Sequence, residues 1–244
     1  MGTPVTSTAT QILNRVAAEI GLAPVSDPYS SQDPAFIQMR YLLNVAGEEL
    51  CLSYPWQVLV KSHEIITQDT DTGDYPLPDD FLYMINQTGW ERSENMPLLG
   101  PLSAQEWAYL LGRDLVTSTI YASFRIADGL FKLFPQPPTA GLNINFEYIN
   151  RNWVNDVENT TTTDNVAKGT DVPLFDRTLI SRYLKVKMLE AKGFDSTAAQ
   201  RDFAQTYGFL TGLDKGARVL NAGSRVGFPY LNMWTNVPDT RYGF

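Results

Sequence analysis

The sequence has one cysteine, one histidine and no apolar run long enough to cross a bilayer, and each shortage removes a class of function. A single thiol, Cys51, forms neither an internal disulfide framework nor a cysteine-based zinc cluster. It sits in "EELCLSYPW" between apolar positions and reads as a small buried hydrophobe. With His63 as the only imidazole, a multi-histidine metal site is excluded. Any Ser-His or Cys-His chemistry would have to run through that one ring, in a segment with strand patterning. No stretch approaches the roughly 18 to 20 apolar residues of a membrane span, so no membrane contact is expected. The opening "MGTPVTSTATQ" has neither the basic start nor the apolar run of a secretory signal. Its match to the loose myristoylation pattern lacks a supporting polybasic patch and is read as chance.

Catalytic and cofactor motifs are missing as well. There is no phosphate-binding G-x-x-x-x-G-K-[ST], no G-x-G-x-x-G after a strand, no H-E-x-x-H and no G-x-S-x-G. Paired carboxylates do occur, at Glu48-Glu49 and Asp79-Asp80. Adjacent residues on one helix point about 100° apart, whereas a glycosidase needs two carboxyls facing across a cleft. The first pair therefore reads as a solvated helix face and the second as a turn. No enzyme activity is expected, and no catalytic, cofactor-binding or metal-binding set.

What the sequence does have is 43% hydrophobic residues in 244, enough for a proper core, and a net charge of −8. That charge is uneven. Residues 1–54 carry 2 basic and 5 acidic groups, residues 55–154 carry 6 and 12, residues 155–195 carry 6 and 7, and residues 196–244 carry 5 and 3. An acidic body repels phosphate and argues against a gene-regulating DNA binder.

Helical periodicity opens the chain. In "TSTATQILNRVAAEIGLAPVS", Ile12, Leu13, Val16, Ala17 and Ile20 share a face, with Thr8 or Thr10 as N-cap and Gly21 at the C′ position. A second helix starts on the cap Asp33 with Pro34 in its first turn and ends before Pro55, presenting Phe36, Met39, Leu43, Ala46, Leu50 and Tyr54 inward. From Trp56 the period drops to two. "WQVLVKSHEIITQ", "FLYMINQTGWE", "MPLLGPL" and "GLNINFEYINRNWV" read as strands, and Ser103 and Glu106 announce a short helix through a capping box. Asp128-Gly129 joins two alternating runs as a type I′ hairpin. Strands at this spacing suggest a small antiparallel sandwich or barrel. Their aromatics, among them Trp90, Trp107, Tyr121, Phe124, Phe131, Phe134, Phe146 and Tyr148, recur as core residues do, with a sugar-binding platform as the competing reading. Residues 155–170 are polar and threonine-rich and read as a mobile loop. Helix returns with Asp171 as cap and Pro173 in the first turn, lined by Leu179, Tyr183, Val186 and Leu189. A last helix from Ser196 turns Ala199, Phe203, Tyr207 and Leu210 inward.

The expected fold is thus α+β. Helical hairpins at 1–55 and 171–220 form a four-helix bundle, a β-rich domain is inserted at 56–154, the loop spans 155–170, and an extended tail covers 221–244. Trp56 and Trp153 would bracket the point where the chain crosses between the two parts.

The tail, "GSRVGFPYLNMWTNVPDTRYGF", has no periodicity yet is rich in aromatics and arginine. Aromatic and arginine anchors on an extended segment are the usual strong contacts of a protein interface. Arg225, Phe228, Tyr230, Trp234, Arg241, Tyr242 and Phe244 are therefore the expected partner-binding residues. Two other readings stay open at this point: a tail lying back on its own bundle, and single-strand nucleic-acid binding by stacking.

The stretches "YPLPDDFLYMINQTGW", "MPLLGPLSAQEWAYLL", "FRIADGLFKLFPQPP" and "FEYINRNWV", together with the opening "ILNRVAAEIGLAPVSD", occur in the order in which similar stretches occur in head-to-tail adaptors of short-tailed bacteriophages. The chain resembles that tail tubular protein A-like group up to about residue 215. The resemblance implies a structural virion protein at the head-tail junction, present in the host cytoplasm during assembly. It also implies a ring of about twelve copies beneath the portal protein, meeting a tail nozzle or tail hub protein and passing DNA through its channel without specific binding. The tail would stay loose in the monomer and order on the portal or on a neighbouring subunit. The competing function is a cell-wall lytic or carbohydrate-binding tail component built on the β insert.

Overall fold

The computed structural model describes residues 4–68, 70–93, 95–112 and 122–215. Helix α1 (Ala9–Glu19) starts where Thr8, rather than Thr10, accepts from the Gln11 N–H while the Gln11 side chain reaches back to the cap N–H. It stops at Gly21, whose φ of +83° suits a residue without a Cβ. There Leu22 N–H and Gly21 N–H return to the carbonyls of Ala17 and Ala18. Helix α2 (Pro34–Ser53) begins on Asp33, which accepts from Ala35 N–H at 2.9 Å. It buries Phe36, Met39, Leu43, Ala46, Leu50 and Cys51.

The expected strand from Trp56 is displaced. Gln57–Leu59 makes a 3-10 turn, and β1 starts only at Val60, running to Ile66. The cause is local: the Trp56 indole N–H donates to the Leu50 carbonyl at 2.8 Å, holding this stretch on the end of α2. After β1 come β2 (Asp74–Pro76), β3 (Phe81–Met84), β4 (Trp90–Glu91), β5 (Met96–Pro97), helix α3 (Ala104–Gly112), β6 (Ser123–Ala127), β7 (Leu130–Phe134) and β8 (Asn143–Asn150). The capping box stands as expected at α3, with Ser103 N–H donating to Glu106 and Glu106 N–H to Ser103 Oγ.

Strand β8 organises the larger sheet. It pairs antiparallel with β1 over the full length of β1, from Val60 opposite Ile149 to Ile66 opposite Asn143. Its other edge takes β3 and β4, and β5 extends the sheet from β4. A smaller sheet runs β2, β7, β6, and its hairpin turns through Asp128 and Gly129 with φ of +58° and +71°, the geometry expected of a type I′ turn. The two sheets share one core. Phe124 stacks on Phe131 at 4.8 Å, and Phe131 stacks on Phe146 of the larger sheet at 5.1 Å. Trp107, Phe124, Phe131, Phe134, Phe146 and Tyr148 are buried and Trp90 is half-buried, so the periodicity was reporting a core. Tyr121 lies outside the described residues.

Two expectations are corrected after β8. Residues 155–170 are not an unpatterned loop: β9 (Val154–Asp156) pairs with β10 (Thr161–Thr163) and with β11 (Val172–Pro173) in a third sheet. Asp156 anchors the turn, accepting from Glu158 N–H, Asn159 N–H and the Asn159 amide. Asp171 does not cap a helix either. It is buried, and its Oδ2 accepts from Ala167 N–H and Lys168 N–H at 2.9 and 2.8 Å, which folds the chain into β11. Helix α4 (Arg177–Ala191) is capped instead by Asp176, accepting from Thr178 N–H at 2.8 Å. The last described helix is α5 (Thr197–Asp214).

Helix α4 packs against α1, α2 and α5, and all four helices contribute to one apolar cluster. Ile149, Trp153 and Val154 join that cluster from the end of the sheet region. The two tryptophans meet through Phe175, whose ring centroid lies 5.9 Å from Trp56 and 6.0 Å from Trp153. The molecule is a mixed α+β fold with antiparallel sheets. Of the inward residues expected for α5, Phe203, Tyr207 and Leu210 pack half-buried on the helical core, and Ala199 is buried.

Candidate interaction surface

The residues most able to do chemistry are arranged as structure. Cys51 is buried, and burial pushes its thiol up to about 12. The His63 ring is half-buried edge-on against Phe146, and burial holds it below the ordinary imidazole value. Among the described residues no group of three or more His, Cys, Asp or Glu could hold a metal ion. The paired carboxylates are not catalytic pairs, and each is less bland than its sequence suggests. Glu48 is solvated, but Glu49 turns in to accept from Tyr183 Oη and from Lys187 Nζ. Asp80 accepts from Lys61 Nζ at 2.6 Å and from Tyr148 Oη at 2.8 Å. Burial opposes ionisation at Asp80, yet these hydrogen bonds win and keep its carboxyl below the usual range.

Exposed large apolar side chains occur in loops and strands as well, Ile66, Leu99 and Phe194 among them, but on two helices they line up. Tyr41, Val45 and Leu52 fall on the outer side of α2 and are exposed. On α5, Phe209 is 66% exposed and Leu213 48%. Single exposed apolar residues need no explanation, but two strips on separate helices do. Both were missed in the sequence, and both leave a signal there. These residues are out of phase with the inward series of their own helices, so each helix carries more apolar surface than one buried face uses.

A groove of about 480 Å³ opens beside the α5 strip. Trp56, Phe175 and Leu179 floor it, and Val58, Leu210 and Leu213 stand at its sides. Its acidic liners are Asp176 and Asp214. The end of α5 is held firmly at this spot. Tyr207 Oη donates to the Ser53 carbonyl at 3.0 Å, Gln57 N–H donates to Asp214 Oδ2 at 3.0 Å, and the Lys215 ammonium sits 5.2 Å from the Tyr54 ring centroid. The chain therefore leaves for its tail from the wall of an apolar groove. The expected partner-binding residues Arg225, Phe228, Tyr230, Trp234, Arg241, Tyr242 and Phe244 all lie outside the described residues.

A family model described as SU10 adaptor protein matches residues 7–228, all but the first six and the last sixteen residues. The chain belongs to the SU10 adaptor protein family. This is a phage head-to-tail adaptor family, so the adaptor's role is a structural one in the virion, as the resemblance implied. Its working parts are then contact surfaces, which agrees with a molecule whose unusual features are outward apolar strips. No curated protein matches the chain. Among the described residues no helix is long and apolar enough to cross a membrane.

Proposed function

We propose that this adaptor forms a ring of about twelve copies under the portal protein, joins it to the tail nozzle or tail hub, and continues the DNA channel. A closed ring is a heterologous assembly in which every subunit offers two different faces to its two neighbours. The observation that carries the reading is the pair of exposed apolar strips, Tyr41–Val45–Leu52 on α2 and Phe209–Leu213 on α5. The cleft beside Leu52 and the groove beside Leu213 have no lining residue in common, as two distinct faces require. In this reading the hairpins 1–55 and 171–220 form a four-helix bundle that carries the ring contacts. Arg225, Phe228, Tyr230, Trp234, Arg241, Tyr242 and Phe244 fasten the extended tail to a partner. The acidic balance of the body lets duplex DNA slide past without gripping, because like charge keeps phosphates off the wall. The host cytoplasm is the place of assembly.

The test is a truncation at residue 220. Removal of residues 221–244 leaves the helical and β core folded, with an unchanged circular dichroism spectrum, and abolishes attachment to portal-bearing capsids. Full attachment by the truncated chain would falsify the tail's role. Rings seen by negative-stain microscopy, alone or on portal, check the assembly itself.

A further inference from the structure

We propose that the groove at the root of the tail is the seat for the tail of a neighbouring copy, with Phe228, Pro229 and Tyr230 on its apolar floor and Arg225 against its acidic side. This rests on the ring reading above and names the partner of one of its two faces.

The groove matches that stretch in chemistry. Its floor is aromatic and aliphatic, Trp56, Phe175 and Leu179, and a volume of about 480 Å³ takes ring side chains. Its carboxylates supply negative charge and are held by backbone donors. Asp176 accepts from Thr178 N–H and Val5 N–H, Asp214 accepts from Gln57 N–H, and neither makes an ion pair with a described residue. After Asp214 the chain carries Lys215, Arg218, Arg225 and Arg241 against Asp239 alone. An apolar seat with carboxylates outside any ion pair among the described residues meets an aromatic segment with surplus arginine.

Reach allows a neighbouring copy to supply the segment. Leu213 and Asp214 are part of the groove wall, so a tail returning to its own groove must loop out and come back to where it started. Thirteen residue steps separate Lys215 from Phe228, which extended span about 43 to 47 Å. A folded body of this size has a radius of gyration of about 17 Å, hence a width of about 43 Å. Fully extended, the segment is long enough to meet the equivalent groove one subunit away. In a closed ring each copy then gives one tail and receives one, and no groove is left open.

The experiment uses two full-length proteins, one carrying Val58→Cys and the other Gly227→Cys, mixed in equal amounts at concentrations where rings form. The native Cys51 is buried, with its thiol pushed up to about 12, and stays silent. Mild oxidation is expected to give a disulfide-linked dimer of one copy of each on a non-reducing gel. That product falls at least tenfold when the tail also carries Phe228→Ala and Tyr230→Ala, or when the groove carries Leu213→Glu. Position 213 is 48% exposed, and a dichroism spectrum confirms that the last variant folds. A protein carrying both cysteines that closes only within single chains overturns the proposal in favour of its own tail. Rings that form without any crosslink overturn it while the ring reading stands. A protein that forms neither rings nor crosslinks, with or without portal, brings both down.

Discussion

The indole of Trp153 occupies the space in which a side chain at Gly47 would stand. A Cβ placed on Gly47 falls 2.1 Å from Cζ2 of the ring, closer than any real contact. Trp153 is fully buried and stacks on Phe175, so the ring moves aside only by disturbing that packing. Gly47→Ala should therefore destabilise the fold through overpacking, by about 1–3 kcal/mol. In a chain of this length each kcal/mol lowers Tm by about 2–4 °C. Trp153→Phe made in the same protein frees space, so the double variant should lose less than the sum of the two single losses in urea unfolding. Strict additivity would show that the two positions do not press on each other.

Gly208 makes the opposite case. It lies within α5, exposed, with nothing within 4 Å of an added Cβ and no positive φ. Glycine in an exposed helix interior costs about 0.5–1 kcal/mol relative to alanine, through the backbone freedom it loses on folding. Gly208→Ala should raise the urea midpoint by a corresponding amount with an unchanged slope. A loss of stability would mean that the outer face of α5 is occupied within the monomer.

Where structure depends on near neighbours, the sequence was readable. Thr8, Asp33-Pro34, Ser103-Glu106 and Asp128-Gly129 each satisfy backbone groups within three residues, and each stands where expected. Choices settled at long range were not readable. Asp171 and Asp176 both precede an apolar run, and only folding shows that one turns the chain while the other caps α4. Thr161–Thr163 has no apolar alternation, because what recruits it is a ladder to β9 rather than a buried face. The groove joins Trp56 to Leu179 and Leu213, each more than a hundred positions further along the chain, and no local pattern announces it. The resemblance located the chain among adaptors, whereas the outward apolar strips appear only once the inner faces are known.

The Glu49 site tests whether the α2–α4 contact carries measurable electrostatic stability. Burial opposes ionisation of Glu49, but hydrogen bonds from Lys187 and Tyr183 prevail, and the carboxyl is held below its ordinary value of 4.5. Burial likewise opposes the charge on Lys187, yet its bond to Glu49 prevails and raises the ammonium above 10.5. A depressed carboxyl contributes stability above the unfolded value that is lost as pH falls through the folded one. A raised ammonium contributes below the unfolded value and loses it as pH rises through the folded one. The stability gap between the native chain and Glu49→Gln should thus be flat from about pH 5 to 10 and close on either side. With the Glu49 side chain 42% exposed, solvent screening limits the gap to about 1 kcal/mol. Tyr183→Phe keeps the ion pair but removes a hydroxyl that lowers Glu49 and raises Lys187, so it should move the acid edge upward and the alkaline edge downward. A gap that persists unchanged at pH 3 would show that Glu49 acts by packing and not by charge.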